Sequence, residues 1–442
     1  MNSNTVFESF ELPGGCLLLA GVIDTTTNYV VHPCTVASNG VVWAGHRLLL
    51  DSIEMSHFWT PEQHQIRDSV TRLCQRFDDQ YWLDRDTDGV FPEDFCRALA
   101  DDGWMGIAMP EEYGGSGLGI TEAAVMVQAI TEAGAGNAGF AAIAIGMFGL
   151  NPVVVFGTEE QKQRWLPPII RRDDIACFAV TEPNTGLDTT RLTIRAVDQG
   201  DHYLVKGEKI WTSTALQSNK MLLIARTKDL SETKKPIDGL SLFYTDLDRD
   251  YVEIRPIEKM GRKSVDSNQV FIDGLRIPKG DLIGEEGKGF RYLLHGLNAE
   301  RVLISASMVG LGRCALRHAA DYARERVVFG RPIGMNQAIQ HPLAVSWAEL
   351  EAANLMAFQA ANLYDAGQEC GKEANAGKYL AAEAAYKACT TAVMTHGGMG
   401  YAKEFHVERY YRECLIHRLA PISPQLILSY LAEKALDLPK SY

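Results

Sequence analysis

The sequence predicts an α+β protein of several domains: an N-terminal α-helical domain, a middle antiparallel β-sandwich or barrel, and a C-terminal four-helix bundle. Three observations predict this order. Apolar residues recur at helical spacing up to about residue 173, the period then shortens toward two, and long Ala-rich helical segments follow from Gly289. The expected boundaries are 55–173, 174–284 and 285–442, and a chain of 442 residues is long enough for this many domains.

The first 54 residues differ from the rest of the chain. They are polar apart from one short apolar run, 16–23, and that run follows Glu8 and Glu11 where a secretory signal carries positive charge. The segment also has too few Arg residues for a mitochondrial presequence. We therefore expect 1–54 to lie outside the fold, and an upstream extension of the true reading frame is one explanation. Without a convincing signal or transit peptide, the predicted location is a bacterial-type cytoplasm or another reducing compartment.

The N-terminal domain is predicted from helix start signals. Thr60 is a good N-cap, Pro61 suits the first helical position, and Gln63 follows three residues after the cap. A stripe of apolar residues then continues at helical spacing: Ile66, Val70, Leu73 and Phe77. Further helical patterns cover 93–102, 121–133 and 159–170.

The middle and C-terminal domains are predicted from the change in period. Short β-branched or alternating runs separated by Gly, Pro, Asp and Asn predict strands at 202–206, 221–226, 240–245, 252–257 and 269–272. Beyond Gly289, helical patterns cover 337–365, 373–394, 404–416 and 424–435. Long Ala-rich helices pack closely, which predicts a four-helix bundle and self-association.

Composition excludes several classes of function. The formal net charge of −13 argues against nucleic acid or an anionic membrane as the main partner, because clustered Lys and Arg recognise both. We see no apolar run of the roughly 18 residues that a membrane span needs. The nine cysteines are scattered and form no C-x-x-C pair. They predict buried thiols, with neither a zinc site nor a disulfide framework, and leave small molecules and proteins as partners.

One carboxylate lies where the helical pattern requires an apolar residue. Glu300 falls on the same predicted stripe as Leu293, Leu297, Ile304 and Met308. Burial raises the pKa of a carboxyl group, so a Glu held there is a candidate proton acceptor. The alternative is a purely structural ion pair between Glu300 and Arg301 or a distant Arg.

Five motifs follow one another along the chain. They are CFAVTEPNTGLDTT at 177–190, KGEKIWTS at 206–213, GEEGKGF at 284–290, ARERVVFGRPI at 323–333, and HGGMGY at 396–401 leading to VERYYR at 407–412. Thr181 and Ser213 offer hydroxyl groups and Trp211 an aromatic plane, which suit the polar edge and the ring of a flavin. Taken singly, an internal Trp is more often part of a core and a strand Ser has no special role.

In order and spacing, these motifs resemble the acyl-CoA dehydrogenase family of flavoproteins over residues 57–442. The resemblance implies FAD as cofactor, an acyl-CoA substrate, an electron-transfer flavoprotein as acceptor, and a homotetramer or dimer of dimers. It implies that Ser213 lies near flavin N5, and that Arg326, Phe329, Gln337 and the Gly397-Gly398 pair reach FAD held by a neighbouring subunit. The full set of cofactor contacts implied is Phe178, Val180, Thr181, Trp211, Ser213, Arg326, Phe329, Gln337, Gly397, Gly398, Ser423 and Gln425.

The resemblance also assigns the catalytic base. Many relatives carry it nine residues after the Arg matching Arg412, where this chain has Pro421, which lacks both a carboxylate and a backbone N–H. A second branch, resembling isovaleryl-CoA and long-chain acyl-CoA dehydrogenases, supplies the base from the position of Glu300. Glu300 is therefore the expected catalytic residue. The N–H of Ile422 or a ribityl hydroxyl of the flavin then replaces the missing donor to the thioester carbonyl.

The activity implied is α,β-dehydrogenation of an acyl-CoA thioester to the trans-2-enoyl-CoA, as in the β-oxidation of fatty acids. Glu300 removes the α-proton while flavin N5 accepts the β-hydride, and Asn298 and Arg301 bind the CoA arm. Solvation of the helix and pairing with an acid are the alternative for those two residues. Two other functions stay open: an acyl-CoA oxidase reoxidised by O2, and a flavin-free scaffold of the same fold. Acyl chain length and branching are also open.

Overall fold

The computed structural model describes residues 59–441 and, before them, the strand residues 6–12, 16–22, 36–37 and 40–41. The chain divides into two compact units, Met1–Pro61 and Glu62–Tyr442. In the first unit, strand β1 (Val6–Leu12) pairs antiparallel with β2 (Cys16–Val22), and β3 (Val36–Ala37) with β4 (Gly40–Val41). The prediction that 1–54 lies outside the fold concerns mostly residues outside this description and stays a prediction.

Seven α-helices form the N-terminal part of the second unit: α1 (Pro61–Cys74), α2 (Asp79–Asp88), α3 (Glu93–Asp101), α4 (Ile120–Ile130), α5 (Gly136–Ala144), α6 (Asn151–Phe156) and α7 (Glu159–Ile170). Helix α1 begins at Pro61, as the start signals predict. Thr158 caps α7 by accepting a hydrogen bond from the backbone N–H of Gln161. The predicted helix 121–133 passes from α4 into a π-helical turn that breaks at Gly134, whose φ of 109° is outside the helical range.

The segment Ile120–Phe156 is long and apolar enough to cross a membrane, contrary to the expectation from the sequence. In the fold it is divided into α4, α5 and α6 by two π-helical turns, and most of its residues are buried inside the protein. Core helices of this composition meet the same criteria of length and hydropathy. Its apolar character therefore has an explanation in packing.

The middle of the chain forms a seven-stranded sheet: β5 (Ala176–Ala179), β6 (Arg195–Asp198), β7 (His202–Ser213), β8 (Lys220–Arg226), β9 (Leu240–Asp246), β10 (Val252–Pro256) and β11 (Ser267–Pro278). The strand order is β10-β11-β7-β6-β8-β5, and β9 also pairs with β8. All five predicted strands are present, whereas β5 and β6 escaped prediction because each has only four residues. The sheet is mainly antiparallel, but β5 runs parallel to β8 and β6 makes one parallel pair with β8.

The C-terminal part is helical apart from one small hairpin: α8 (Gly289–Glu325), β12 (Val327–Val328), β13 (Arg331–Pro332), α9 (Gln337–Asp365), α10 (Gly371–His396), α11 (Val407–Cys414), α12 (Ile416–Leu419) and α13 (Pro424–Ala435). Helix α10 packs against α8, α9, α11 and α13. Small residues permit close packing of α8, since a Cβ at Gly310 would lie 2.2 Å from the Thr131 hydroxyl oxygen. Residues 310–315 spell G-x-G-x-x-A, a pattern also found in dinucleotide-binding loops, but here they lie inside α8.

The predicted helix 404–416 is interrupted at both ends. His406 has a left-handed backbone with φ 61°, which a right-handed helix cannot contain, so α11 begins at Val407. Arg412 of α11 then connects distant parts of the second unit. Its guanidinium pairs with Asp86 of α2 at 2.6 Å and with Glu408, and donates to the carbonyl of Met260 at 2.9 Å.

Candidate active site

The carboxyl group of Glu300 lies in the interior of the protein. Glu300 is 8% exposed, and Leu293, Ile304 and Met308 of the predicted stripe are buried with it on α8. Burial raises the pKa of this carboxyl from 4.5 to about 7, although the charges of Arg301 and Lys378 act to lower it. In the part of the chain that the structure describes, no cation lies at ion-pair distance from Glu300. The structural ion pair considered from the sequence is therefore not formed.

Lys378 is a functional candidate that the sequence analysis missed. It is 1% exposed on α10, and its Nζ donates a 2.8 Å hydrogen bond to the carbonyl oxygen of Ile422. Burial lowers the pKa of the ammonium to about 8. A signal was present, because Lys378 lies at helical spacing among small buried residues, Ala374, Ala381, Ala382 and Ala385. The rule that singled out Glu300 applies equally here.

A cavity of about 420 Å³ opens beside Asn298 and Arg301 of α8. Its walls include Leu297, Asn298 and Arg301 of α8, Asn375 of α10, Tyr430 of α13, and Ile422 just before α13. Glu300 is not among the lining residues, because its side chain leaves α8 about 100° round the helix from that of Arg301. The structure therefore brings together the two predicted substrate residues with Ile422, whereas Glu300 does not itself line this cavity.

Arg301 has capacity to bind a further group. Its Nη1 donates to Asn298 Oδ1 at 3.0 Å, while its buried Nε has no acceptor among the described residues. Burial also lowers the pKa of this guanidinium. A buried donor without a partner is costly, so a carbonyl or anionic group of a ligand in the cavity would be stabilised there.

The first group of predicted cofactor residues meets where β5 ends against β7. The backbone N–H of Ile210 donates to the carbonyl of Thr181 at 2.9 Å, and Lys209 Nζ donates to the carbonyl of Val180 at 2.8 Å. These bonds hold the loop after β5 against the strand that carries Trp211 and Ser213. Phe178, on β5 itself, is half-buried.

The geometry of Trp211 and its neighbours fits a bound aromatic ring better than a core. The Trp211 side chain is 56% exposed, which argues against the alternative of a core Trp. Trp211 and Thr214, on either side of half-buried Ser213, both have left-handed backbones with φ 61°. Such conformations in residues other than glycine persist where the surrounding structure enforces them, commonly at functional sites.

The second group of predicted cofactor residues lies at the far end of α8. Arg326, Phe329, Gln337, Gly397 and Gly398 are all exposed, and Phe329 is fully so at a turn with φ 53°. Stacking of Tyr322 on His396, with ring centroids 4.3 Å apart, keeps the glycine pair near this end. Helix α8 is unbroken for 25 residues from Glu300 to Glu325, a rise of about 38 Å. One chain therefore does not bring this group to Glu300.

The remaining predicted residues lie around the start of α13. Ser423 caps this helix by accepting a hydrogen bond from the N–H of Leu426 at 3.3 Å, and Gln425 is exposed. Pro421, which has no group that could act as a base, is exposed. The backbone N–H of Ile422 has no acceptor among the described residues, so it is available to a ligand.

Comparison with known proteins gives three matching family models along the chain. The Acyl-CoA dehydrogenase, N-terminal domain, matches residues 60–173; the Acyl-CoA dehydrogenase, middle domain, matches 177–275; and the Acyl-CoA dehydrogenase, C-terminal domain, matches 287–421. The predicted order of helical, β and helical domains is confirmed, whereas the individual boundaries stay predictions.

Individual proteins agree with the family models. The acyl-CoA dehydrogenase fadE12 of Mycobacterium bovis is 34% identical over 392 residues, which are 88% of this chain and 100% of that protein. The caffeyl-CoA reductase-Etf complex subunit CarC of Acetobacterium woodii is 33% identical over 329 residues, 74% of this chain and 86% of that one. The structure of butyryl-CoA dehydrogenase from Megasphaera elsdenii aligns with a TM-score of 0.81 at 25% identity, covering 86% of this chain and 99% of that chain.

Proposed function

The chain belongs to the acyl-CoA dehydrogenase family of flavoprotein oxidoreductases, and from this membership we propose that it uses FAD to dehydrogenate an acyl-CoA thioester between Cα and Cβ. The observation that carries the proposal is the buried carboxyl of Glu300, whose pKa burial raises to about 7. A base with a pKa near the working pH is about half deprotonated there and still strong enough to accept a proton. Glu300 is thus suited to remove the α-proton.

Two sets of donors support this role. Asn298 and Arg301 would hold the CoA arm in the cavity, because Arg301 Nε is buried without an acceptor among the described residues. The N–H of Ile422, also available, would polarise the thioester carbonyl and so acidify the α-carbon. It would replace the donor that Pro421 cannot provide.

The residues around Trp211 fit the flavin ring of FAD. An exposed Trp211 with a left-handed backbone stands beside the loop that holds Thr181, and Ser213 follows it on the same strand. These residues would bind the isoalloxazine ring and its polar edge. When bound, FAD supplies an acceptor for the hydride that leaves the β-carbon.

The exposed second group of cofactor residues supports an oligomer. Because about 38 Å of helix separates Glu300 from the Arg326 end of α8, the adenine side of FAD would be bound by the Arg326 end of another copy of the chain. We accordingly propose a homotetramer or dimer of dimers. A reducing compartment is proposed as well, since the seven cysteines within residues 59–441 are free and buried.

The oxidant proposed is an electron-transfer flavoprotein, and O2, as in an acyl-CoA oxidase, is the alternative. The similarity to an Etf-associated caffeyl-CoA reductase favours a second candidate as well, the reverse reduction of an enoyl-CoA. In that direction the protonated carboxyl of Glu300 would donate to the α-carbon, which a pKa of about 7 also permits.

Glu300→Gln tests the proposal. The purified variant should remain yellow with FAD, while acyl-CoA thioesters should reduce the flavin about 10²–10⁴ times more slowly, the usual contribution of a general base. Stopped-flow absorbance measures this rate over a panel of acyl-CoA thioesters. Glu349→Gln, a surface Glu paired with Lys387, is the matched control and should react like the wild type.

If the Glu300→Gln protein is bleached as fast as the wild type, Glu300 is not the base. A wild-type protein that purifies colourless and binds no flavin would instead support the scaffold alternative. Hydrogen peroxide released in air on addition of substrate would identify an oxidase, and oxidation of the reduced flavin by an enoyl-CoA would show the reductase direction.

A further inference from the structure

The ammonium group of Lys378 is a buried charge without an ion-pair partner. Its side chain is fully buried, and among the described residues no carboxylate lies at ion-pair distance from its Nζ. Its hydrogen bond is to a neutral acceptor, the carbonyl of Ile422, at 2.8 Å. Burying an unpaired cation is unfavourable, and a Met of similar length would fill the same space without this cost.

The position of Lys378 connects the two parts of the proposed chemistry. Ile422 lines the cavity together with Asn298 and Arg301, and its N–H is the donor proposed for the thioester. Lys378 Nζ donates to the carbonyl oxygen of Ile422, so this hydrogen bond holds Ile422 and leaves the Ile422 N–H free for a ligand. Lys378 and Glu300 are buried on α10 and α8, two helices that pack against each other, and the charge of Lys378 acts on that carboxyl.

We propose that Lys378 is a positioning residue that fixes Ile422 through its carbonyl and supplies the positive charge that keeps Glu300 ionised for proton abstraction. The inference rests on the proposed function, because it assigns Lys378 a task in that reaction. Lys378 acts through Ile422 and Glu300 and does not itself contact the reacting carbons.

The other charged groups around this pair are few. Arg301, next to Glu300 on α8, also favours the carboxylate, and Glu383 on α10 acts on Lys378 but is itself bonded to Arg418 at 2.8 Å. His417 of α12 is buried nearby, and burial lowers its pKa to about 3, so it stays neutral at physiological pH. Lys378, with a pKa of about 8, is charged in the range where Glu300 titrates.

Removing the charge of Lys378 should raise the pKa of the Glu300 carboxyl. A neighbouring cation stabilises the carboxylate, so its removal raises the pKa of Glu300, typically by about 1 unit or more. The rate of flavin reduction should increase with pH as Glu300 ionises, with a midpoint near 7 in the wild type. Without the charge of Lys378 this midpoint moves upward, and the rate at about pH 7 falls up to roughly tenfold.

Two substitutions separate the two tasks of Lys378. Lys378→Gln removes the charge and keeps a donor for Ile422, whereas Lys378→Met removes both. We expect both variants, loaded with FAD, to show the midpoint of flavin reduction about 1 pH unit higher. Lys378→Met should in addition lower the rate at the high-pH plateau. Infrared titration of the protonated carboxyl band, identified by its loss in Glu300→Gln, should shift by the same amount without any turnover.

The controls distinguish the possible failures. Lys387→Met, nine residues further along α10 and ion-paired at the surface, should leave the midpoint unchanged. A midpoint that stays at the wild-type pH in both Lys378 variants, whatever their melting temperatures, would overturn the inference while leaving Glu300 as the base. If the rate of flavin reduction in Glu300→Gln still increased with pH as in the wild type, that result would instead contradict the proposed function.

Discussion

Arg301 Nη1 donates a 3.0 Å hydrogen bond to Asn298 Oδ1 across one turn of α8, on the wall of the cavity that both residues line. This bond fixes the plane of the guanidinium while its Nε has no acceptor among the described residues. A planar guanidinium with a fixed orientation binds carbonyl and anionic groups with defined geometry. The pair is therefore suited to orient a ligand rather than to stabilise the helix.

We predict that Asn298→Ala raises the KM for acyl-CoA about tenfold, as expected when a hydrogen bond to a charged group is lost. The kcat should change less than about threefold, because Glu300 keeps its surroundings. Steady-state kinetics with the best acyl-CoA substrate measures both. Gln80→Ala, which removes an exposed hydrogen bond to Asp84 on α2, is the control. A fall in kcat with an unchanged KM would contradict a role in binding.

The buried carboxyl of Glu300 should also make stability depend on pH. Its pKa is about 7 in the folded chain against 4.5 when unfolded, so the folded state binds the proton more tightly. The free energy of unfolding contributed by this group therefore falls as pH rises from 4.5 to 7, and is unaffected below that window. The wild type should lose about 2–3 kcal/mol relative to Glu300→Gln between about pH 5 and pH 8.

Urea denaturation of both proteins at the two pH values measures this difference. Glu349→Gln, at the surface, should show the same pH dependence as the wild type. An equal loss of stability in wild type and Glu300→Gln would mean that the Glu300 carboxyl ionises as it does in the unfolded chain.

The exposed aromatic ring of Phe329 should be required for association. It is fully exposed at the turn between β12 and β13, next to exposed Val327 and Val328, and a contiguous exposed apolar patch is typical of a contact surface. Phe329→Asp should lower both the oligomer size, measured by light scattering, and the ratio of flavin to protein. Val90→Asp changes another exposed apolar residue, 52% exposed, and should alter neither. An FAD-loaded oligomer of wild-type size in Phe329→Asp would exclude the predicted contact.

Local signals account for what the sequence predicted well. The bounds of α7 follow from Thr158, whose side chain satisfies a free N–H at the helix start, and those of α9 and α13 agree with the apolar pattern. Glu300 was identifiable because a single carboxylate interrupted an apolar stripe, a feature that needs no tertiary information.

Features that depend on distant residues were not predictable in this way. The parallel pairing of β5 with β8 joins segments more than 40 residues apart, and neither strand encodes its partner's direction. The role proposed for Lys378 depends on its hydrogen bond to the carbonyl of Ile422, 44 positions later in the chain. The break at His406 depends on a left-handed backbone that a His rarely adopts without tertiary support.

The length of α8 has a consequence for how the subunits would communicate. Glu300 lies near the beginning of this single continuous helix and the hairpin of Phe329 directly follows its end, with no Pro between them. If the chain associates as proposed, a displacement imposed at the hairpin would be carried along α8 to Glu300. By thermodynamic reciprocity, if association changed the affinity for a ligand at Glu300 by some factor, that ligand would change the affinity between subunits by the same factor.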